Sequence, residues 1–294
     1  MEKFLENLKT ISRLYGIGVQ RYLERIKAAR INIDLSDDTI TSGVTCLVFL
    51  LTIPSISDAD INMEIIDRCI DYVMIYMIVD HTLDSKKIDE EEKAALVNKI
   101  KKKIRGEEME ERDLVLELYD NLTRDDAVKV EMVKKLFQVV LYSVEVQKRS
   151  DCTIEEYYRA MKLKGGYTIY GGVFLVYGDI LSEKDLMLLG ECAQLVDDMM
   201  DCRKDLKDGI DTYCTKLLEK EGNLDSAAMK LQRLLSEFPK EFEIFRRGFL
   251  FSARIIVRKS EFYSSKCKRN LGRRSGNNKI SSKILEKRFR NLIK

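Results

Sequence analysis

The chain has 294 residues, 45% hydrophobic and 34% charged, enough to bury a large core in one big domain or two small ones. Its formal charge of +2 conceals a polarity, because residues 254–294 carry 14 Lys and Arg against only Glu261 and Glu286, which points to an anionic partner for a basic tail. Two prolines and 15 glycines leave long helices as the expected class, while seven scattered cysteines and the single histidine, His81, exclude a zinc site and fit reduced thiols in an intracellular, cytoplasmic protein.

Residues 1–30 read as a helix, with Phe4, Leu5, Leu8, Ile11 and Leu14 at three- and four-residue steps, bent or broken at Gly16 and Gly18. Glu2 and Glu6 in its first turns fit neither a signal peptide nor a good transit peptide. Ser36-Asp37-Asp38 supplies an N-cap for a very apolar helix to about Thr52, closed by Pro54. Ser57 or Asp58 caps a third helix through Ile61, Ile65, Ile66, Ile70, Val73 and Met77, which is apolar nearly all round and therefore central. The longest apolar runs, 46–53 and 72–79, are too short to span a bilayer. The third helix ends in Asp80-His81-Thr82-Leu83-Asp84, two carboxylates one turn apart where the helix dipole prefers cations. That pair either emerges into solvent or meets a cation.

Charged outer helices are expected over about 89–104 and 107–122, and Thr123-Arg-Asp-Asp caps another over about 128–148. Thr153, with Glu156 as its capping-box acid, opens a helix that reads Y-Y-R-A-M-K-L-K-G-G-Y-T-I-Y-G-G from Tyr157 to Gly172. Each glycine inside a helix costs about 1 kcal/mol relative to alanine, so the two pairs imply a kink or a close approach of backbone. Lys162 and Lys164, just before the first pair, are either solvated surface lysines or a phosphate site beside freed N–H groups.

An acid-rich helix over about 182–207 follows and ends at Gly209. From Gly190 to Asp205 it reads G-E-C-A-Q-L-V-D-D-M-M-D-C-R-K-D. Asp197, Asp201 and Asp205 share one face, with Asp198 beside them and Gln194 one turn earlier. Like charges at this spacing destabilise a helix. They need open water or a cation, and magnesium, which takes one or two carboxylates with waters and phosphates, suits them. Helices over about 213–219, 225–236 and 238–263 come next, then a Gly/Ser/Asn/Arg-rich loop over 266–279 and a short basic helix over 282–293. The expected organisation is one domain over 1–265 and a basic tail over 266–294.

Two acidic clusters on separate apolar helices, with a Lys-Gly helix between them, resemble the trans-isoprenyl diphosphate synthases (the polyprenyl synthetase family) and the wider class I terpenoid synthase fold. The second cluster fits every position of that family's G-x-x-x-Q-x-x-D-D-x-x-D-x-x-x-D, at Gly190, Gln194, Asp197, Asp198, Asp201 and Asp205. Tyr157 stands seven residues before Lys164-Gly165-Gly166, as the family's tyrosine does before its Lys-Thr-Gly/Ala. Asp80 and Asp84 keep the first and last acids of the family's D-D-x-x-D, in the D-x-x-x-D form also used by squalene and phytoene synthases. The resemblance spans about residues 40–215.

It implies an all-α fold, a single large helical bundle with a central apolar cavity, acting as a prenyltransferase. Such an enzyme ionises an allylic diphosphate on a cluster of three magnesium ions (Mg2+) and condenses it with isopentenyl diphosphate. It further implies that Asp80, Asp84, Asp197, Asp198 and Asp201 hold the metal, and that Lys164, Asp80 and Asp197 are the catalytic set. Lys162, Lys164, Gln194, Asp205 and Tyr76 would contact substrate, with Tyr76 as the floor that limits product length. Family members are usually dimers, so a homodimer, or a heterodimer with another prenyl synthase subunit, is implied. The chain departs from the chain-elongating pattern in three places, one of them a shortened stretch after Gly209. S-G-V-T-C at Ser42–Cys46 replaces the acceptor-binding G-G-K-R-x-R-P, and Lys86-Lys87 replaces a pair of arginines. The departures leave open a terpene cyclase or head-to-head synthase, and a non-catalytic regulatory subunit. The basic tail could touch anionic lipid; with only Phe289 as an aromatic after Tyr263, it is poorly suited to stacking on nucleic acid.

Overall fold

Scarce helix breakers produce an all-helical chain. The computed structural model describes the backbone of residues 2–28, 37–57, 59–85, 88–109, 113–124, 126–149 and 151–272, and of these the side chains from Tyr15 onward except those of residues 37–39 and 41. Among the described residues there are twelve α-helices and no strand. They are α1 (Glu2–Ala28), α2 (Asp37–Thr52), α3 (Met63–Asp84), α4 (Glu90–Ile104), α5 (Leu114–Thr123), α6 (Ala127–Lys148), α7 (Ile154–Tyr177), α8 (Glu183–Asp208), α9 (Tyr213–Glu221), α10 (Asp225–Ser236), α11 (Glu243–Lys259) and α12 (Ser265–Gly272). None of them is long and apolar enough to cross a membrane. All seven cysteines are free thiols.

Two apolar cores meet at α7 and α8. One gathers α1 to α3 around residues such as Leu47, Leu50, Leu51, Ile66, Ile70 and Val73, and takes Val173, Leu175 and Leu189 from α7 and α8. The other gathers α9 to α12 against Ala160, Met161, Leu195 and Met199. Full burial of one such leucine is worth about 2 kcal/mol, so α2, with three leucines out of water, is held by packing rather than by propensity.

The glycines of α7 explain its central place. A Cβ on Gly165 would lie 2.4 Å from the Gly190 carbonyl oxygen, and one on Gly190 would lie 2.1 Å from the Gly165 oxygen. The backbones of α7 and α8 therefore touch. Further along, Gly171 admits Leu136 of α6, and Gly172 admits the Tyr72 ring of α3. Of the two sequence expectations for these glycines, close approach holds and the kink does not, since α7 runs unbroken. Nor does α1 break at Gly16 or Gly18; a Cβ on Gly18 would stand 3.0 Å from Leu51, so that glycine seats α2.

Several helix starts differ from the sequence reading because a later cap wins. Asn62 caps α3, its Oδ1 accepting from the Ile65 N–H at 2.9 Å, in place of Ser57; Asp58 lies outside the described residues. Asp113 caps α5, whose first residue, Leu114, lies seven beyond the expected start at 107, whereas Asp126, the last residue of the expected Thr123-Arg-Asp-Asp cap, caps α6. The predicted Thr153–Glu156 capping box is present, and Gly209 ends α8 in the left-handed region at φ 63°. The long helix expected over 238–263 divides into a 3-10 turn, Lys240–Phe242, and α11. Residues 265–272, expected as part of a loop, form α12 and bury Cys267 and Leu271. The remainder of that loop and the basic helix over 282–293 lie outside the described residues.

The α7–α8 contact predicts a contrast. Gly165→Ala should destabilise the chain by about 1–3 kcal/mol or more, because backbone cannot yield as a side-chain end can. Gly248→Ala, in α11 with nothing within 4 Å of the added methyl, should stabilise it by about 0.5–1 kcal/mol. Urea denaturation of both variants measures the pair; equal effects would remove the crossing as a constraint.

Candidate functional site

The crossing at Gly165 and Gly190 fixes what stands one turn further along each helix. A Cβ on Gly165 would meet the Gln194 Cβ at 2.5 Å, so Lys164 and Gln194 are neighbours. α3 lies on the other side of Lys164 and brings its last turn there. The Lys164 ammonium sits 2.7 Å from Asp80 Oδ1 and 3.3 Å from Asp84 Oδ2, with only 8% of the residue exposed. The shorter contact is an ion pair rather than an aligned hydrogen bond. On α8, the Gln194 amide donates to Asp198 Oδ1 at 3.1 Å and to Asp197 Oδ2 at 3.4 Å. The charges of Asp197 and Asp198 are felt by Lys164, and Asp197 is also felt by Asp80. Asp80 and Asp84 thus contact Lys164, and Asp198 lines the same small pocket as that lysine.

The electrostatics show how crowded this negative charge is. Burial pushes the Asp198 carboxyl up to about 8, against the opposing effect of the Gln194 hydrogen bond. The surrounding protein, then the Asp201 charge, lifts Asp197 to about 6, although its side chain still reaches water at the mouth of the site. Burial, then Asp201 and Asp197, lifts Asp205 to about 7. Asp84 is raised too, by burial, with Lys164 opposing. For Lys164 itself, burial disfavours the ammonium, but Asp80 and Asp84 outweigh it and hold the proton on. One buried cation offsets two helices' worth of acid.

Beneath Asp80, the Tyr76 ring stacks on Tyr72 with centroids 6.3 Å apart. Its hydroxyl meets the Thr168 side chain, one turn beyond Lys164, and burial followed by Asp80 raises its pKa. The Tyr72 hydroxyl donates to the Thr168 carbonyl at 2.5 Å. These rings occupy the space between α3 and α7. A pocket of about 30 Å³ opens beside Lys164, Gln194 and Asp198, closed by Tyr157 and Asp211. A cleft of about 540 Å³ lies elsewhere, along the first half of α3, and is lined by charged residues. Neither is the large apolar chamber that the resemblance implies.

Several of the expected site residues come together: Asp80 and Asp84 from α3 on Lys164 from α7, with Tyr76 one turn before Asp80 and Gln194 and Asp198 of α8 in the same pocket lining, while Asp197, Asp201 and Asp205 continue along α8. Lys162 does not join them. Two residues along a helix turn the side chain by about 200°, and its ammonium lies 3.2 Å from Glu191 Oε2 instead. Glu191, 2% exposed, also accepts from the Tyr158 hydroxyl. Neither Glu191 nor Tyr158 carries a sequence signal of its own. Thr168, one turn after Lys164, could have been found from helical spacing. Tyr157 holds the chain after α8, donating to the Arg149 carbonyl at 3.0 Å and to Asp211 Oδ2 at 3.3 Å. Asp211 is fixed in turn by Lys216 at 2.9 Å.

Among the described residues, no three His, Cys, Asp or Glu side chains gather closely enough to hold a metal on their own. Magnesium asks for less, one or two carboxylates with waters and phosphate oxygens. The donor set is all hard oxygen, and its raised carboxyls mark an excess of negative charge, so it fits that ion.

The shifts set a direction with pH. A carboxyl raised from 3.8 to about 8 keeps its proton in the folded chain where the unfolded chain has lost it. The contribution of Asp198 to the stability of the metal-free chain should therefore fall as pH rises from about 4 towards 8. Asp198→Asn should flatten that fall. Urea denaturation at stepped pH reads both slopes, and identical slopes would exclude Asp198 as a cause.

Comparisons of the chain with protein-family models, with curated proteins and with solved structures returned no match.

Proposed function

We propose that this chain is a magnesium-dependent trans-prenyltransferase of the polyprenyl diphosphate synthase type, acting on an allylic diphosphate. The observation that carries the reading is the contact of Asp80 and Asp84 on α3 with Lys164 on α7, beside a small pocket that Lys164 shares with Gln194 and Asp198 of α8. Three helices direct charge at one point, and a diphosphate is the kind of group that such a point suits.

Asp80, Asp84, Asp197, Asp198 and Asp201 would hold magnesium. Bound there, it supplies Lewis-acid neutralisation of a leaving diphosphate. Lys164 would donate a charge-assisted hydrogen bond to a diphosphate oxygen, leaving its present carboxylate partners to the metal. Gln194 orients Asp198 from one turn below. Tyr76 and Tyr72 close the space under Asp80 and keep water from a carbocation formed above them. By analogy with the family, an aromatic ring one turn before Asp80 would set the floor that limits product length.

The missing acceptor motif supports a second reading, a cyclase or head-to-head synthase. Incubating the full chain with magnesium and farnesyl diphosphate, with and without isopentenyl diphosphate, separates the two. A longer diphosphate formed only with the acceptor supports prenyl transfer. Pyrophosphate release or a hydrocarbon without the acceptor supports the second. Silence in both arms sinks both readings.

Two variants extend the test. Lys164→Ala should lower kcat by about 100-fold, the scale of losing one preorganised cationic donor. Tyr76→Ala should move the products to longer chains, as read by chromatography of the dephosphorylated products, and an unchanged distribution would remove Tyr76 as the floor.

A further inference from the structure

α11 is apolar on two opposite faces. On one, Phe245, Ala253 and Val257 are buried, and Phe249 packs beside them against the core. That face accounts for the helix being held to the fold. The other face needs a separate reason. Ile244, Gly248, Phe251 and Ile255 follow one another at helical steps, so they form a single stripe along α11. Ile244 and Ile255 are each 37% exposed, Phe251 is half-buried, and a Cβ on Gly248 would have nothing within 4 Å. The stripe faces outward.

Its border is basic. Arg247 and Arg258 flank it on one side and Lys259 on the other, all three exposed. Arg254 stands on the same side as Arg247, and its Nε donates to the Leu271 carbonyl at 3.2 Å, which sets α12 beside that edge. α12 adds Lys266 and Arg269, both exposed, and contains no acid. Residues 243–272 carry eight Lys and Arg against Glu243 and Glu261, in a chain whose total charge is only +2. Those two acids are turned to partners of their own, Glu243 to Arg246 and Arg247 and Glu261 to Arg203.

We propose that this face of α11, with α12 beside it, docks on an anionic lipid surface. An apolar stripe with a cationic border suits the boundary between headgroups and acyl chains, where the apolar side chains enter and the lysines and arginines stay with the phosphates. No helix among the described residues is long and apolar enough to cross a membrane, so α11 would lie flat on one. Two other occupants carry the wrong charge. A second copy docked stripe to stripe would set one basic border against the other. Residues 273–294, which follow α12, hold eight more Lys and Arg against Glu286 alone, so they are repelled from this face and drawn to the same lipid. The stripe shares no residue with the acidic site, and the proposal does not rest on the reaction assigned there.

Gly248 gives the test, because a side chain there meets no neighbour and improves the helix. Sedimentation of the full chain with vesicles of phosphatidylglycerol and phosphatidylcholine, in EDTA to keep divalent ions from bridging acid to lipid, measures the partition. Binding is expected, and it should fall about tenfold or more on phosphatidylcholine alone or in about 0.5 M salt. Gly248→Leu should tighten it about fivefold, and Gly248→Glu should weaken it about tenfold. Val128→Glu, which places the same charge at a 65% exposed position on α6, should change it much less. Absence of binding to the anionic vesicles overturns the proposal. Binding that Gly248→Glu leaves intact, or that Val128→Glu weakens equally, overturns it as well, by assigning the contact to the tail or to bulk charge. A dimer that Gly248→Glu dissociates, with no vesicle binding, assigns the stripe to a second copy instead.

Discussion

Contact between two helix backbones sets the terms for everything near the acidic cluster. α7 and α8 can touch because Gly165 and Gly190 lack side chains at the same place. Any larger residue at either position would push the helices apart by the width of a methyl group. Lys164 is next to one of those glycines and Gln194 is one turn from the other. Their meeting with Asp80, Asp84 and Asp198 is therefore a consequence of helix packing and not of any loop. Rigid elements place a charged constellation more tightly than loops do.

Charge is the second constraint. α8 places a row of aspartates at four-residue spacing in a half-buried cleft, and the protein supplies one buried ammonium against them. The balance is incomplete, and raised carboxyl groups are the result. The Lys164 ammonium thus serves the resting chain as an internal counter-ion. An anionic ligand that drew it away would leave Asp80 and Asp84 without their counter-ion.

Helical class, the capping box at Thr153, the end of α8 at Gly209 and the shared face of Asp197, Asp201 and Asp205 were all legible, because each is a property of residues within a turn or two of one another. Helix starts were less so. Ser57, Asp58 and Asn62 are all competent caps, and the winner depends on where Ile53 and Pro54 let the chain turn. The kink read into the glycines of α7 failed because a helix surrounded by protein keeps its own hydrogen bonds; the spare room goes to its neighbours. Lys162 and Lys164 stand together in the sequence, yet their separation puts them on opposite faces, so helical geometry allows only one of them to meet the acids. The pairing of Lys162 with buried Glu191 had no local signal, since it depends on which face of α8 meets α7.

One further feature bears on how the chain can be cut. α12 lies against α11, and its Cys267 and Leu271 complete the apolar core that also holds Val257 and Tyr263. Asp225 reaches across to the turn before it, accepting from the Ser264 N–H at 2.9 Å. Trimming the polypeptide at residue 265, where composition turns basic, would strip the cover from that core and expose grease on α10 and α11. A self-contained version therefore keeps at least the residues through Gly272, and the shift in composition at 265 does not mark a boundary in the packing.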